Sequence, residues 1–543
     1  MKKVVKVDVF RNTFDPVSKQ EPAIWAVCHL TNVLRSRKVE TIAHDGIDGF
    51  GNDQDGLQIV ITGLSSASKL PGWSDAGLNV PVEAESFGIA NTNITLNSVP
   101  TVFAVGSDVR GLVYAVLELA DIAKHAEDPV EALQSIQSIV EKPTNPVRRI
   151  TRLFTSEPED KPWFYDPQFW DEYLTELATH RFNQFTFSVG AGYDYLIDRV
   201  VLDTYFCFFY PFVLSVPGYS VEVEGLSADE RERNLAMIRY IGQQAKLRGL
   251  DFRLGLWNHA YDYGPNNTNK KYRISGLNAQ NHAQYCRDAL ALLLETCPEI
   301  EGLTFRVHFE GGVPEPTHEF WRVVMEKVKD AKNLTDLDFH SKGVNDELLE
   351  ITEKTGKQFM LSTKYWAEHM GLPYHQASIR RKEFVPGTGK GKISLHPPST
   401  GHHDGKARSG MSTTSKRSFT RYGYADFLRG DRTYGLIHRL WPGTQRILLW
   451  GDPAMAAGFG RFSGFCGSLG VEWFEPLSFK GKKGSGTIGG RELYEDEELK
   501  LGIRDWTKFL YTYRLWGRLS YNPQSHPETW RRYLRSNQSF LNF

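Results

Sequence analysis

The run TFRVHFEGG, Thr304 to Gly312, decides how this chain is read. Arg306, His308 and Glu310 alternate with Phe305, Val307 and Phe309, and two glycines end the pattern. Successive side chains on a strand point to opposite faces, so the polar groups share one side and the apolar groups the other. About thirty residues on, Asp336, Asp338, His340 and Lys342 interleave with Leu337, Phe339 and Ser341, and Gly343 follows. Burying titratable groups costs several kcal/mol, as an order of magnitude, unless they are paired, so two strands with polar inner columns mark a candidate site.

Working outward, these two strands belong to a repeated strand-then-helix series. The pattern predicts strands at Ile150 to Thr155, Gln184 to Val189, Asp251 to Trp257, Leu303 to Phe309, Leu334 to His340, Gln358 to Lys364, Tyr434 to Leu440 and Ser468 to Trp473. Helical periodicity follows most of them, as at Phe169 to Arg181 and Glu232 to Arg248. Eight such units fit an α/β fold, a (β/α)8 TIM barrel over residues 146–490. Residues 1–145 read as an N-terminal α/β domain, and residues 491–543 as a C-terminal helical region packed on the outside. Arg380 to Arg421 is rich in Gly, Ser, Thr, Pro and basic residues. It reads either as a solvated insertion or as a basic lid over the face where barrel enzymes work.

Composition limits the function. Lys+Arg is 64 against Asp+Glu 65, so no overall field points to nucleic acid or a membrane surface. The five cysteines are scattered and form neither a disulfide framework nor a metal knuckle. No stretch approaches a membrane span, and the N-terminus lacks an apolar signal region. The chain as given therefore reads as cytoplasmic, or as periplasmic or secreted if a signal peptide was removed. Aromatic residues make up 13%, a supply of flat faces suited to stacking on sugars.

Carboxylates, aromatics and cations converge at the predicted strand ends, which is where a barrel carries its function. Glycoside hydrolysis uses two carboxyl groups, one protonated and one ionised. Glu310 is the expected general acid, its pKa raised by desolvation beside Phe309 and the glycines. Glu472 is the first choice for the second carboxylate, with Glu475 and Glu368 behind it. Expected substrate contacts are His308, Lys342, Lys364, Trp366, His369, Arg439, Trp257, His259, Tyr193 and Trp473. The cations among them exceed what a neutral sugar needs and suit a uronic acid carboxylate; alternatively, some of them hold Asp336, Asp338 and Glu368 in place. No cofactor is expected. Gly484, Gly486 and Gly489 spell GxGxxG but lack the strand and helix context of a dinucleotide site. Two rival readings are a metal-dependent hydrolase or sugar isomerase using His259, His308, Glu310, Asp338 and His340, and a non-catalytic glycan-binding protein.

Ala104 to Asp121, AVGSDVRGLVYAVLELAD, with Gly106, Asp108, Arg110, Gly111 and Tyr114, resembles the end of the α/β domain that precedes the barrel in family 67 and family 115 α-glucuronidases and, more distantly, in family 20 hexosaminidases. YRLWGRLSYNP at 513–523 is similar to the C-terminal region of family 67. The resemblance implies a barrel glycosidase with a carbohydrate substrate, an acid at Glu310 and a sugar pocket at the strand ends. It offers no match to the Asp and Glu that act as base in that family.

Overall fold

The computed structural model describes residues 6–50, 56–96, 99–197, 201–264, 271–364, 427, 429–440, 451–476, 486–492 and 494–537. A six-stranded sheet comes first, made of β1 (Lys6–Arg11), β2 (Glu40–Asp45), β3 (Leu57–Gly63), β4 (Phe87–Leu96), β5 (Val99–Gly106) and β6 (Ile139–Glu141) in the order β2-β1-β3-β5-β4-β6. The first three strands and β5 run parallel; β4 is antiparallel to both β5 and β6. All seven residues of the central LQIVITG strand β3 are buried, as a strand covered on both faces requires. The sequence pattern did not foresee β2, whose ETIAHD carries too little apolar periodicity to stand out.

A closed barrel follows, formed by β7 (Val147–Phe154), β8 (Gln184–Val189), β10 (Asp251–Leu256), β12 (Gly302–Arg306), β13 (Asp336–His340), β14 (Gln358–Lys364), β15 (Gly435–Leu440) and β16 (Gly470–Phe474), all parallel. Two short strands, β9 (Glu222–Val223) and β11 (Ile274–Ser275), pair antiparallel in a separate sheet. The fold is a (β/α)8 barrel with an added N-terminal α/β sheet and further helices. β12 ends at Arg306, earlier than the alternation predicts, and Phe309–Gly311 turns into a short 3-10 helix.

Much of the barrel interior is ionic. Arg149 Nη1 lies 2.6 Å from Asp338 Oδ2, Arg439 Nε 2.6 Å from Glu472 Oε2, and Arg253 Nη1 2.6 Å from Asp336 Oδ1. Thr151 Oγ1 donates to Glu472 at 2.7 Å, and Ser362 donates to Asp338. Three arginines from β7, β10 and β15 thus meet three carboxylates from β13 and β16, so the polar inner columns are largely self-paired core. The apolar side of β12 faces outward: Phe305 packs on Trp321 at 5.0 Å and stacks with Phe339 at 6.1 Å.

The Ala104 to Asp121 motif joins the sheet domain to the barrel. Asp108 caps helix Val109–His125, accepting from the Gly111 amide at 2.8 Å. Arg110 bonds Glu85 at 2.8 Å and Asp251, the first residue of β10, at 2.5 Å. The C-terminal helix Leu510–Tyr521 packs against the outer wall of the barrel, where Trp516 stacks on Trp473, and its residues from Thr512 onward are buried. Its Arg514 and Arg518 reach Asp121 and Glu118 at 2.7 Å, and Arg532 joins them. Arg181 is a fourth arginine on this pair of acids, and the network ties both C-terminal helices to helix Val109–His125.

Candidate functional site

Glu310 occupies the barrel mouth at the C-terminal end of β12. Its backbone is tied on two sides: the Tyr195 amide donates to its carbonyl at 2.9 Å, and the His259 amide donates to the Gly311 carbonyl at 2.7 Å. Its side chain is 19% exposed. Lys342 Nζ stands 2.6 Å from Oε1, Arg306 Nη2 2.7 Å from Oε2, and His308 Nε2 3.9 Å from Oε2. Two glycines make this approach possible. Gly312 has φ +70 and a Cβ there would meet the Ala260 amide nitrogen at 2.2 Å; Gly343 has φ +86 and a Cβ would strike His308 Cβ at 2.4 Å.

The electrostatics correct the expected acid. Burial on its own would raise the Glu310 pKa, but His308, Arg306 and Lys342 outweigh it and hold the carboxyl far below the usual carboxylate range. Glu310 is therefore ionised in this structure. Burial, followed by Arg306 and Lys342, pulls His308 well below its ordinary value, with Glu310 pushing back. Burial also lowers Lys342, with Glu310 pushing back.

Arg306 Nη1 bonds Asp194 Oδ1 at 2.6 Å, so Asp194 and Glu310 share one guanidinium. That bridge keeps their nearest oxygens within about 8 Å. Asp194 lies in the loop after β8 with its side chain 39% exposed. The sequence pattern names Arg306 only as a member of the inner column and assigns Asp194 no role. The available signal was the spacing of four between Arg306 and Glu310, a pair that survives the end of the strand.

Below this level Trp257 closes the barrel. Its ring lies 4.8 Å from the Arg439 guanidinium and 5.4 Å from His340, beside Leu153 and Phe474. Trp257 is thus the floor of the mouth. Arg439 lies beneath it, fully buried between Asp338 and Glu472, and is not placed to meet a substrate. Glu472 is buried in the same layer with both oxygens engaged.

Strand alternation separates the remaining residues from the mouth. With Glu472 pointing inward, Trp473 points outward and stacks on Trp516 at 4.5 Å and 9°, its indole donating to Ser520 at 3.1 Å. Glu475 is also outside the wall, bonded to Arg152 at 2.6 Å, Tyr513 at 3.1 Å and Tyr173 at 3.2 Å, beside a separate cavity of about 330 Å³. Burial raises its pKa against the pull of Arg152. His259 is buried on the outer wall among Phe305, Phe320 and Trp321, and burial lowers it to about 3. Tyr193 is buried in a small cluster with Val201, Cys207, Ala260 and Tyr263. Glu368, Trp366 and His369 lie outside the described residues, as does the Lys364 side chain. The metal reading loses its geometry: His259 faces the outer wall, Asp338 is spent on Arg149, and no group of three or more His, Cys, Asp or Glu among the described residues is placed to hold an ion. No helix among the described residues is long and apolar enough to cross a membrane.

No protein-family model matches the chain, and no curated protein matches its sequence. Among solved structures it is similar to a GH138 enzyme targeting pectin rhamnogalacturonan II, with a TM-score of 0.57 and 13% identity over 96% of this chain and 51% of that one. It is also aligned with the GH20 β-N-acetylhexosaminidase of Streptomyces coelicolor A3(2), at a TM-score of 0.43 and 14% identity over 98% of this chain and 90% of the other. The likeness to the GH138 enzyme is one of fold, and the chain spans about half the length of that structure. The GH138 enzyme is not a family 67 or family 115 α-glucuronidase, so the narrower resemblance drawn from Gly106 to Tyr114 gains nothing from it.

Proposed function

We propose that this chain is a glycoside hydrolase whose reacting centre is Glu310 at the barrel mouth, acting on a glycan that contains uronic acid. The observation that carries the reading is the cradle of Lys342, Arg306 and His308 around a partly exposed carboxylate at the C-terminal end of a barrel strand. Such a cradle keeps Glu310 anionic, the state needed by a nucleophile or by the base that activates water. The second carboxyl, protonated beside the leaving oxygen, is assigned to the same rim. Asp194 is within reach through Arg306, and Glu368 after β14 is the other candidate. The preference for an acidic sugar is supported by Lys364, His369 and the basic run Arg380 to Arg421 of the sequence, because Lys342 and Arg306 are already matched by Glu310 and Asp194.

The test is turnover of a panel of aryl glycosides and pectic oligosaccharides, with and without uronic acid, by wild type and by Glu310→Gln, Asp194→Asn and Glu368→Gln. Glu310→Gln should keep the fold and glycan binding while turnover falls by about a hundredfold or more. Loss of turnover in one of the other two variants identifies the acid, and addition of azide to the Glu310 variant reports whether Glu310 acts as a nucleophile. Full activity in Glu310→Gln would refute the assignment. Binding without turnover by wild type would instead favour a glycan-binding protein.

A further inference from the structure

A cavity of about 940 Å³ opens on the same face of the barrel, yet none of Glu310, Arg306, His308 or Lys342 lines it. Its walls come from Glu157, in the helix Glu157–Phe164 that follows β7, from Asp203 and Thr204 after β8, from Lys271 and Tyr272 in the loop before β11, and from the start of helix Ala228–Leu247. We propose that this cavity is a second saccharide site, which holds two or more uncharged sugar residues of the glycan.

The walls are built before any ligand arrives. Glu157 accepts from Lys161 at 2.7 Å and from Lys271 and Tyr272, and Lys161 continues to Glu230 at 2.6 Å. Tyr205 donates to Glu230 at 2.7 Å. Asp203 spends both oxygens on backbone, accepting from the Glu157 amide at 2.5 Å and the Tyr205 amide at 3.0 Å. These carboxylates are scaffold, so the geometry favours binding over a second catalytic pair.

The chemistry selects the ligand. Pro158 and Pro162 give apolar surface of the kind that covers a pyranose ring, beside Tyr165 and Tyr272, whose rings already carry Arg233 and Lys271, and the exposed Asp229 supplies a carboxylate that accepts hydrogen bonds from hydroxyls. Arg233 sits over Tyr165, its guanidinium carbon 3.9 Å from the ring centre, and among the described residues no carboxylate pairs with it. Its N–H edge is left for hydroxyl or ring oxygens. Four carboxylates, Glu157, Asp203, Asp229 and Glu230, face three cations, Lys161, Arg233 and Lys271. That surplus of negative charge disfavours a phosphate or a uronate and leaves a neutral, hydroxyl-rich chain as the fitting occupant. Ligand clefts of roughly 300 to 1,000 Å³ bury a molecule of drug size, so the volume suits more than one ring.

The choice of saccharides rests on the glycosidase reading, but the test reads binding. Saturation-transfer NMR and calorimetry on the full chain would use xylotriose, cellotriose and, as charged comparator, trigalacturonate. At least one neutral trisaccharide should bind wild type and Glu310→Gln alike. Asp229→Trp, which fills the cavity from an exposed helix position, should weaken that binding tenfold or more, and Arg233→Ala, at a surface position, about threefold or more. The proposal fails if neither neutral probe binds, if both variants bind like wild type, or if the two variants weaken trigalacturonate as much as the neutral probe. Such a failure leaves the turnover test of Glu310 untouched, and an inactive Glu310 hypothesis leaves this binding test intact.

Discussion

The Lys342 ammonium sits 2.6 Å from Glu310 Oε1, although the two residues come from different strands. Lys342 lies past the end of β13, and Glu310 lies past the end of β12. Each strand therefore delivers its charge only after its hydrogen-bonded ladder has stopped. With His308 and Arg306, the pair holds down the pKa of a carboxyl that burial alone would raise.

Removing that cation should move the pH profile in a defined direction. Burial raises the Glu310 pKa, and His308, Arg306 and Lys342 together lower it by more. In Lys342→Met the carboxyl should titrate at higher pH, and the acid limb of kcat/KM, which needs the anion, should rise with it by about one unit or more. A pH series of kcat/KM measures this, and an unmoved acid limb would remove Glu310 from the base or nucleophile role.

Gly343→Ala tests the packing behind the cradle. The residue has φ +86, and an added Cβ would lie 2.4 Å from His308 Cβ. Backbone strain of this kind costs about 1–3 kcal/mol, and relief requires His308 to move from beside Glu310. Turnover should fall at least tenfold while chemical denaturation shows only that modest loss. Wild-type kinetics would mean that His308 has no part in positioning the carboxylate.

Trp473→Ala separates core from contact. Alternation along β16 turns Trp473 outward onto Trp516, where it is fully buried. Truncating such an indole costs about 3–5 kcal/mol. KM per folded molecule should be unchanged, and a selective rise in KM without destabilisation would restore Trp473 to the substrate.

These cases show which parts of the molecule the sequence makes legible. The period-two pattern places Arg306, Asp338 and His340 on the inner face correctly, and the eight-unit series leads to the barrel. Height along the barrel axis is not encoded in that period. Asp338 and Glu472 share the inward direction with Arg306, but they lie deeper: Glu472 meets Arg439 of the neighbouring strand β15, and Asp338 meets Arg149 from the far end of the barrel sequence. The paired state of Asp338 therefore depends on contacts across 189 residues. For Glu475 the strand had already ended, and its outward turn toward Tyr173 and Tyr513 depends on a C-terminal helix whose burial the pattern did not foresee.

Glu85 tests the joint between the sheet domain and the barrel. It bonds Arg110 at 2.8 Å, accepts from Asn183 at 2.9 Å and also pairs with Arg148, the second residue of β7. Burial would raise its pKa, but Arg148 and Arg110 overcome this and lower it to about 2 from an ordinary 4.5. A carboxyl depressed on folding stabilises the folded state fully above its unfolded pKa, and this contribution is lost as pH falls through the folded value. The window for Glu85 therefore runs from about pH 4.5 down to about pH 2, and the linked stabilisation is on the order of 3 kcal/mol. Thermal unfolding followed from pH 7 to pH 3 should show wild type losing stability below about pH 4.5. Glu85→Gln should be less stable at pH 7, because Arg148 loses its charge partner, and should lose less on acidification. If the two proteins lose stability in parallel from pH 7 to pH 3, the Glu85 ion pairs do not govern the joint, and the acid sensitivity must come from Glu118 and Asp121 beneath the C-terminal arginines, whose carboxyls are also held low by Arg518, Arg514 and Arg532 against the opposing effect of burial.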